Sequence, residues 1–167
     1  MADLDRTDLA LLEALQRNAR STYAELGEAI GLRPPAVHDR IRKLEDRGVL
    51  VQYGARLDLE RVGLAVNAFI GVITTPDCDY DTFVGQVSAL PEVLEVHSVA
   101  GEDSYMLKVA TRNTRHLDAL LTRLKQIPGA ARTRTTVILA TSYERAAVPL
   151  QELAEADEPS FWRKASA

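Results

Sequence analysis

The chain has 167 residues, 46% of them hydrophobic and 26% charged, enough for one medium or two small globular domains. No apolar run approaches the ~20 residues of a membrane helix, and a lone cysteine, Cys78, excludes an intramolecular disulfide or a multi-cysteine metal site. The net charge of −4 argues against indiscriminate coating of nucleic acid, and it is unevenly spread: residues 1–56 hold nine acids and nine Lys/Arg, the rest fifteen and eleven.

Any contact with nucleic acid is therefore expected from a local patch in the first third. The opening Met1-Ala2-Asp3-Leu4-Asp5-Arg6 is acidic and polar, unlike a secretory signal, so the expected location is the cytoplasm. Leu9, Leu12 and Leu15, three apart, predict an amphipathic helix over about Thr7–Asn18. Thr22-Tyr23-Ala24-Glu25 is a capping-box pattern opening a second helix, with Leu26, Ala29 and Ile30 as its buried stripe. Gly31 ends that helix as a left-handed cap, and Leu32 makes the accompanying apolar contact. Pro34 and Pro35 are tolerable only in the first turn of a new helix. Val37, Ile41 and Leu44 give this third helix its inner face, and Gly48 closes it. One helix, then two more across a tight glycine turn, is the layout of a helix-turn-helix module. Val49–Tyr53 reads as a short strand, the wing, and Leu57–Gly63, which has no strong period, as a linker.

From residue 65 the period changes. Ala65–Thr74 is apolar and β-prone. Phe83, Val87 and Leu90 mark a helix ended by Pro91; Val93–Ala100 is a strand, and Gly101-Glu102-Asp103-Ser104 a polar turn. Tyr105–Thr111 alternates Tyr105, Leu107 and Val109 with Met106, Lys108 and Ala110. Leu117, Leu120, Leu121, Leu124 and Ile127 make a helix ended by Pro128-Gly129, and Arg132–Ser142 is the last strand. The order predicts an α+β chain: a winged helix-turn-helix domain at 1–56, a linker at 57–64, a ferredoxin-like βαββαβ domain at 65–145 and a tail at 146–167. The sheet keeps one open face, which favours a face-to-face dimer. The acidic tail, with Pro159 and an isolated Phe161-Trp162, reads as loosely ordered or packed on a partner subunit.

Opposite the inner face of the third helix stand Pro35, Ala36, Asp39, Arg42 and Lys43, flanked by His38 and Arg40. Arg33 through Arg47 holds five Lys/Arg against three acids, the most basic stretch of this third of the chain. Small residues early in a helix allow close approach to bases, and Arg or Lys farther along meets phosphates or guanine edges. The same charges would also suit a solvated surface helix. Asp39 is expected to orient Arg42 or Lys43 rather than to read a cytosine. His38, His97 and His116 are far apart and read as surface or satisfied residues. Cys78 lies between Asp77 and Asp79, which disfavour a thiolate. Tyr23, Tyr53, Tyr80 and Tyr143 read as packing or interface residues. With no Gly-x-Ser-x-Gly and no phosphate-cradling loop, neither an enzyme nor a cofactor is expected.

Leu4-Asp5-Arg6-Thr7-Asp8, Ala19-Arg20, Glu25-Leu26 through Gly31-Leu32, Val37 through Arg40-Ile41-Arg42-Lys43-Leu44-Glu45 and Gly48-Val49 resemble the leucine-responsive Lrp/AsnC family in order and spacing. Val99-Ala100-Gly101 and Thr133-Arg134-Thr135-Thr136-Val137 extend the resemblance to roughly residues 4–143. It implies a transcription regulator of two-domain subunits that dimerise, often into octamers, bind double-stranded DNA and sense an amino acid or related metabolite. By position, the DNA contacts it implies include Arg33, and the effector contacts are Gly101, Glu102, Asp103, Ser104 and Tyr105 with Thr135, Thr136 and Ile138. Backbone N–H groups at the turn would take a carboxylate, and Glu102 or Asp103 an ammonium. The turn's composition alone would also satisfy a plain hairpin.

Two departures stand out. Arg33 occupies the position before Pro34 where the family usually has a capping Ser. In the effector turn, usually Gly-Asp-aromatic-Asp-Tyr, Asp103 replaces the aromatic and Ser104 the second Asp. Two alternatives stay open: a regulator of this fold without effector binding, and a sirohaem-decarboxylase-like enzyme, which would need histidines that do not cluster near this turn.

Overall fold

A computed structural model of the chain describes residues 4–156. They fall into two compact units: one takes the chain up to Ala55 together with the stretch from Tyr143 onward, the other is Arg56–Ser142.

In the first unit, α1 (Arg6–Arg17) opens on a capping box, Asp5 accepting from the Asp8 N–H at 2.8 Å and Asp8 from the Asp5 N–H at 3.1 Å. α2 (Tyr23–Ile30) opens on the Thr22–Glu25 box and ends on Gly31 at φ 72°, a left-handed cap that L side chains adopt only with strain. α3 (Pro34–Asp46) starts differently: Arg33 makes no side-chain cap. The two prolines carry no N–H, and Ala36 and Val37 both donate to the Arg33 carbonyl, at 3.0 and 3.2 Å. The core is Leu11, Leu12, Leu15, Leu26, Val37, Ile41 and Leu44. Leu11 replaces the expected Leu9, because the buried arc of α1 follows Asp8, Leu11, Leu12 and Leu15 and turns Leu9 to its edge.

The strand expected over Val49–Tyr53 is not formed among the described residues. Val49 and Leu50 instead donate back to the Leu44 carbonyl, at 2.9 and 3.1 Å, and pack on the helical core; no chain runs alongside Val51, which is 85% exposed. The tail is also corrected. Its described part returns to α1 of its own chain, where the N–H of Val148 donates to Gln16 Oε1 at 2.7 Å. The Gln151 N–H meets Glu13 Oε1 at 2.8 Å, and Leu150, first residue of α6 (Leu150–Ala156), joins the apolar cluster. Pro159, Phe161 and Trp162 lie outside the described residues.

The second unit carries β1 (Val66–Thr74), α4 (Tyr80–Ser88), β2 (Val93–Ser98), β3 (Tyr105–Thr111), α5 (Thr114–Gln126) and β4 (Ala130–Val137). The sheet order is β2-β3-β1-β4, all antiparallel, as the ferredoxin-like reading requires. Ala68, Ile70 and Val72 of β1 and Tyr105, Leu107 and Val109 of β3 are buried against Phe83 and Val87 of α4 and Leu117, Leu120 and Leu124 of α5. The alternate residues Phe69, Gly71 and Ile73, paired with Thr136, Arg134 and Arg132 of β4, share the opposite face. β4 stops at Val137 rather than Ser142 because its partner runs out: Ile138 makes a last bond to the Asn67 carbonyl, one residue inside the start of β1. Beneath α5, the buried Glu92 carboxylate bonds His116 Nε2 at 2.7 Å and the Arg123 guanidinium.

Candidate nucleic-acid interface and ligand pocket

Burial of Val37, Ile41 and Leu44 fixes the roll of α3. Arg33, Pro35, Ala36, His38, Asp39, Arg42 and Lys43 are all left exposed. Arg42 has one weak neighbour, Asp46 at 4.0 Å and equally exposed, and nothing pairs with Arg33 or Lys43 among the described residues. Two expected roles change. Arg40 bonds Asp5 at 2.7 Å and Asp8 at 2.6 Å, so its guanidinium fastens α3 to the start of α1 instead of facing outward. Asp39 orients neither Arg42 nor Lys43; its neighbour is His38 Nδ1 at 3.4 Å.

His38 also meets Tyr23 edge to face, ring centroids 5.4 Å apart. Tyr23, read from sequence as packing, is thus an exposed aromatic bordering the same face. Nothing in the periodicity signals it, since it opens α2 and the contact crosses the turn. Tyr53 donates to Glu45 at 2.8 Å on the far end of α3.

In the second unit, a cavity of about 60 Å³ is lined by Ile73, Glu102, Asp103, Arg132, Thr133 and Arg134. Beside it a Cβ on Gly71 would overlap the Asp103 carboxyl, so the Asp103 side chain occupies the space that glycine leaves. Asp103 is only 7% exposed and accepts from Arg134 Nη2 at 2.5 Å; Arg134 Nη1 reaches Glu102 at 3.4 Å.

Glu102 and Asp103 therefore do come together at a pocket, and the others of the turn do not line it. Gly101 supplies a left-handed φ of 146°. Ser104 Oγ accepts from the Thr74 N–H and hydroxyl at 3.2 and 3.0 Å, tying the turn to the end of β1. Tyr105 is core, its ring 5.3 Å from that of Phe83. Thr135 and Thr136 lie farther along β4 and Ile138 just past its end, opposite Ile70, Phe69 and Asn67, outside the lining. Sequence reasoning missed Ile73, Arg132, Thr133 and Arg134. The usable signal was Arg132-Thr133-Arg134, which in a strand puts two guanidinium groups on one face. No group of three or more His, Cys, Asp or Glu among the described residues is placed to hold a metal ion.

A helix-turn-helix with an outward basic face, in one chain with a ferredoxin-like unit bearing a charged pocket, defines a DNA-binding regulator. The AsnC-type helix-turn-helix profile matches residues 4–45 and the Lrp/AsnC ligand binding domain matches residues 67–148. The HTH-type transcriptional regulator LrpA of Mycobacterium tuberculosis is 38% identical over 140 residues, 84% of this chain and 93% of its own length. Regulatory protein AsnC of Escherichia coli K12 is 32% identical over 149 residues, covering 87% and 97%. Among solved structures, a transcriptional regulator of Neisseria meningitidis in complex with L-methionine superposes with a TM-score of 0.85 at 32% identity, covering 90% of this chain and 99% of its own. The feast or famine regulatory protein of M. tuberculosis, complexed with L-methionine, gives 0.79 at 38% identity, covering 84% and 95%. The chain belongs to the Lrp/AsnC family of transcriptional regulators, a family of DNA-binding regulators and not of enzymes.

Proposed function

We propose that this regulator reads a specific DNA sequence with α3 and adjusts that activity to an amino acid or related metabolite held in the ferredoxin-like unit. The observation that carries the DNA reading is the roll of α3. With its three apolar residues buried, Pro35 and Ala36 stand exposed at its start and Arg42 and Lys43 farther along. That order suits close approach to base edges followed by phosphate contact. Arg33, His38 and Asp39 complete the exposed face, and Arg40 positions it. The division of labour follows the sequence reading, residues 1–56 for DNA and 65–145 for effector and assembly.

The two relatives solved with L-methionine support an amino-acid effector, and the pocket beside Glu102 and Asp103 is its site. The open sheet face, with Phe69 40% exposed, supports a homodimer, and octamers follow if dimers associate further. Two subunits present two α3 helices to successive half-sites, and each added dimer multiplies weak contacts through effective concentration. The protein works in the cytoplasm, in line with the absence of any helix, among the described residues, long and apolar enough to cross a membrane.

Replacing Arg42 and Lys43 together by alanine tests the DNA reading. Operator binding is expected to be lost, and the slope of log affinity against log salt to fall by about 0.9 for each phosphate contact removed, with thermal unfolding unchanged. Unaltered affinity would place the DNA contact elsewhere.

A further inference from the structure

The walls of the pocket between Glu102 and Arg132 restrict what it can hold. Four of its six lining residues are charged, Glu102, Asp103, Arg132 and Arg134, and Ile73 is its one wholly apolar wall. Its volume of about 60 Å³ is less than half of the roughly 150 Å³ that admits benzene in an apolar cavity. A long apolar side chain entering it would strip water from these charges without pairing them.

The charges are unequally committed. Asp103 is buried and its Oδ2 is already bonded to Arg134, so its charge is met within the wall. Arg132, across the ladder from Ile73, has no partner among the described residues. The Glu102 side chain is 86% exposed and held only by the 3.4 Å contact to Arg134. One accessible cation and one accessible anion are left at the same opening, the complement of a zwitterion.

We propose that this pocket selects a short, polar α-amino acid, Arg132 taking its carboxylate and Glu102 its ammonium, while the Asp103–Arg134 pair bars long apolar side chains. The proposal rests on the reading of this unit as an amino-acid sensor and names the class of amino acid. It differs from the methionine found with the two relatives because four of the six residues lining this pocket are charged, two of them joined as an ion pair.

The test is thermal unfolding of the full chain with serine, threonine and asparagine, against leucine, methionine and ethanolamine, the last being serine without its carboxylate. A ligand that binds only the folded state raises the midpoint by mass action. The short polar amino acids are expected to raise it, and the other three to leave it unmoved at the same concentration. Arg132→Gln is expected to weaken serine-class binding at least tenfold while unliganded stability and DNA affinity stay unchanged. Stabilisation by leucine or methionine equal to that by serine, or an Arg132→Gln variant with full affinity, overturns the proposed class and leaves the sensor reading standing. If no amino acid alters either the midpoint or DNA binding, the sensor reading falls and the proposal with it.

Discussion

The Arg40 guanidinium on α3 stands 2.6 Å from the Asp8 carboxylate on α1, and the same nitrogen is 2.7 Å from Asp5. Both carboxylates belong to the capping box of α1, so one cation closes the cap and holds α3 against it. Arg40→Ala is expected to lower stability by about 2 kcal/mol, the range for hydrogen bonds to charged groups. DNA affinity should fall as well, through α3 losing its seat. Arg40→Lys should recover only part of both, since an ammonium lacks the guanidinium fork. Chemical denaturation and operator titration of the two variants decide it; a fully stable alanine variant would show the contact to be idle.

Acid is expected to weaken the fold through particular carboxylates. At Asp5 the Asp8 backbone bond, then Arg40, hold the carboxyl below its ordinary value of 3.8. At Glu92 burial pulls the other way, but Arg123, its own backbone and His116 outweigh it and hold the carboxyl below 4.5. A depressed carboxylate contributes its stability above the unfolded value, and that stability is lost as pH falls through 4.5 and 3.8 toward the folded values. The midpoint of thermal unfolding should therefore be level near neutrality and decline below these values. Glu92→Gln should start lower and decline less steeply. Parallel curves for the two proteins would remove Glu92 from the account.

Gly71→Ala places a methyl where the Asp103 carboxyl lies. The expected cost is about 1–3 kcal/mol, the range for overpacking. The two positions should couple: in an Asp103→Ser background the same change should cost clearly less. A double-mutant cycle measures this, and additive effects would mean that the carboxyl moves aside freely.

Leu150→Ala, at the start of α6, should destabilise the helical unit by about 2 kcal/mol, near the lower end for losing a packed leucine. Chain ending after Ser142 should lose more, since it also forfeits the bonds of Val148 to Gln16 and of Gln151 to Glu13. Hydrogen exchange of the α1 amides reads both; unchanged protection would make the tail a passenger.

Much of this architecture was legible because local signals agreed with the fold. The Thr22–Glu25 box, the Gly31 cap and the Val37, Ile41, Leu44 stripe each specify backbone and burial within a few residues. What escaped depends on distant partners. Val49–Tyr53 has strand composition but no neighbouring strand, β4 ends where β1 begins, and the tail's seat on α1 joins residues more than a hundred apart. The pocket was half legible: the turn at Gly101–Ser104 was visible as a turn. That Asp103 folds onto Gly71 while Ser104 serves Thr74 depends on register, which no spacing within the turn reveals.

The double proline at the head of α3 has an electrostatic consequence. A helix start usually offers free N–H groups to an anion. Here Pro34 and Pro35 have none, and those of Ala36 and Val37 are spent on the Arg33 carbonyl. A phosphate arriving at this end would find none of the first four helical N–H groups free and would meet the exposed side chain of Arg33. Any grip on an anion at that point would rest chiefly on one side chain, open to change by a single substitution that leaves the helix itself untouched.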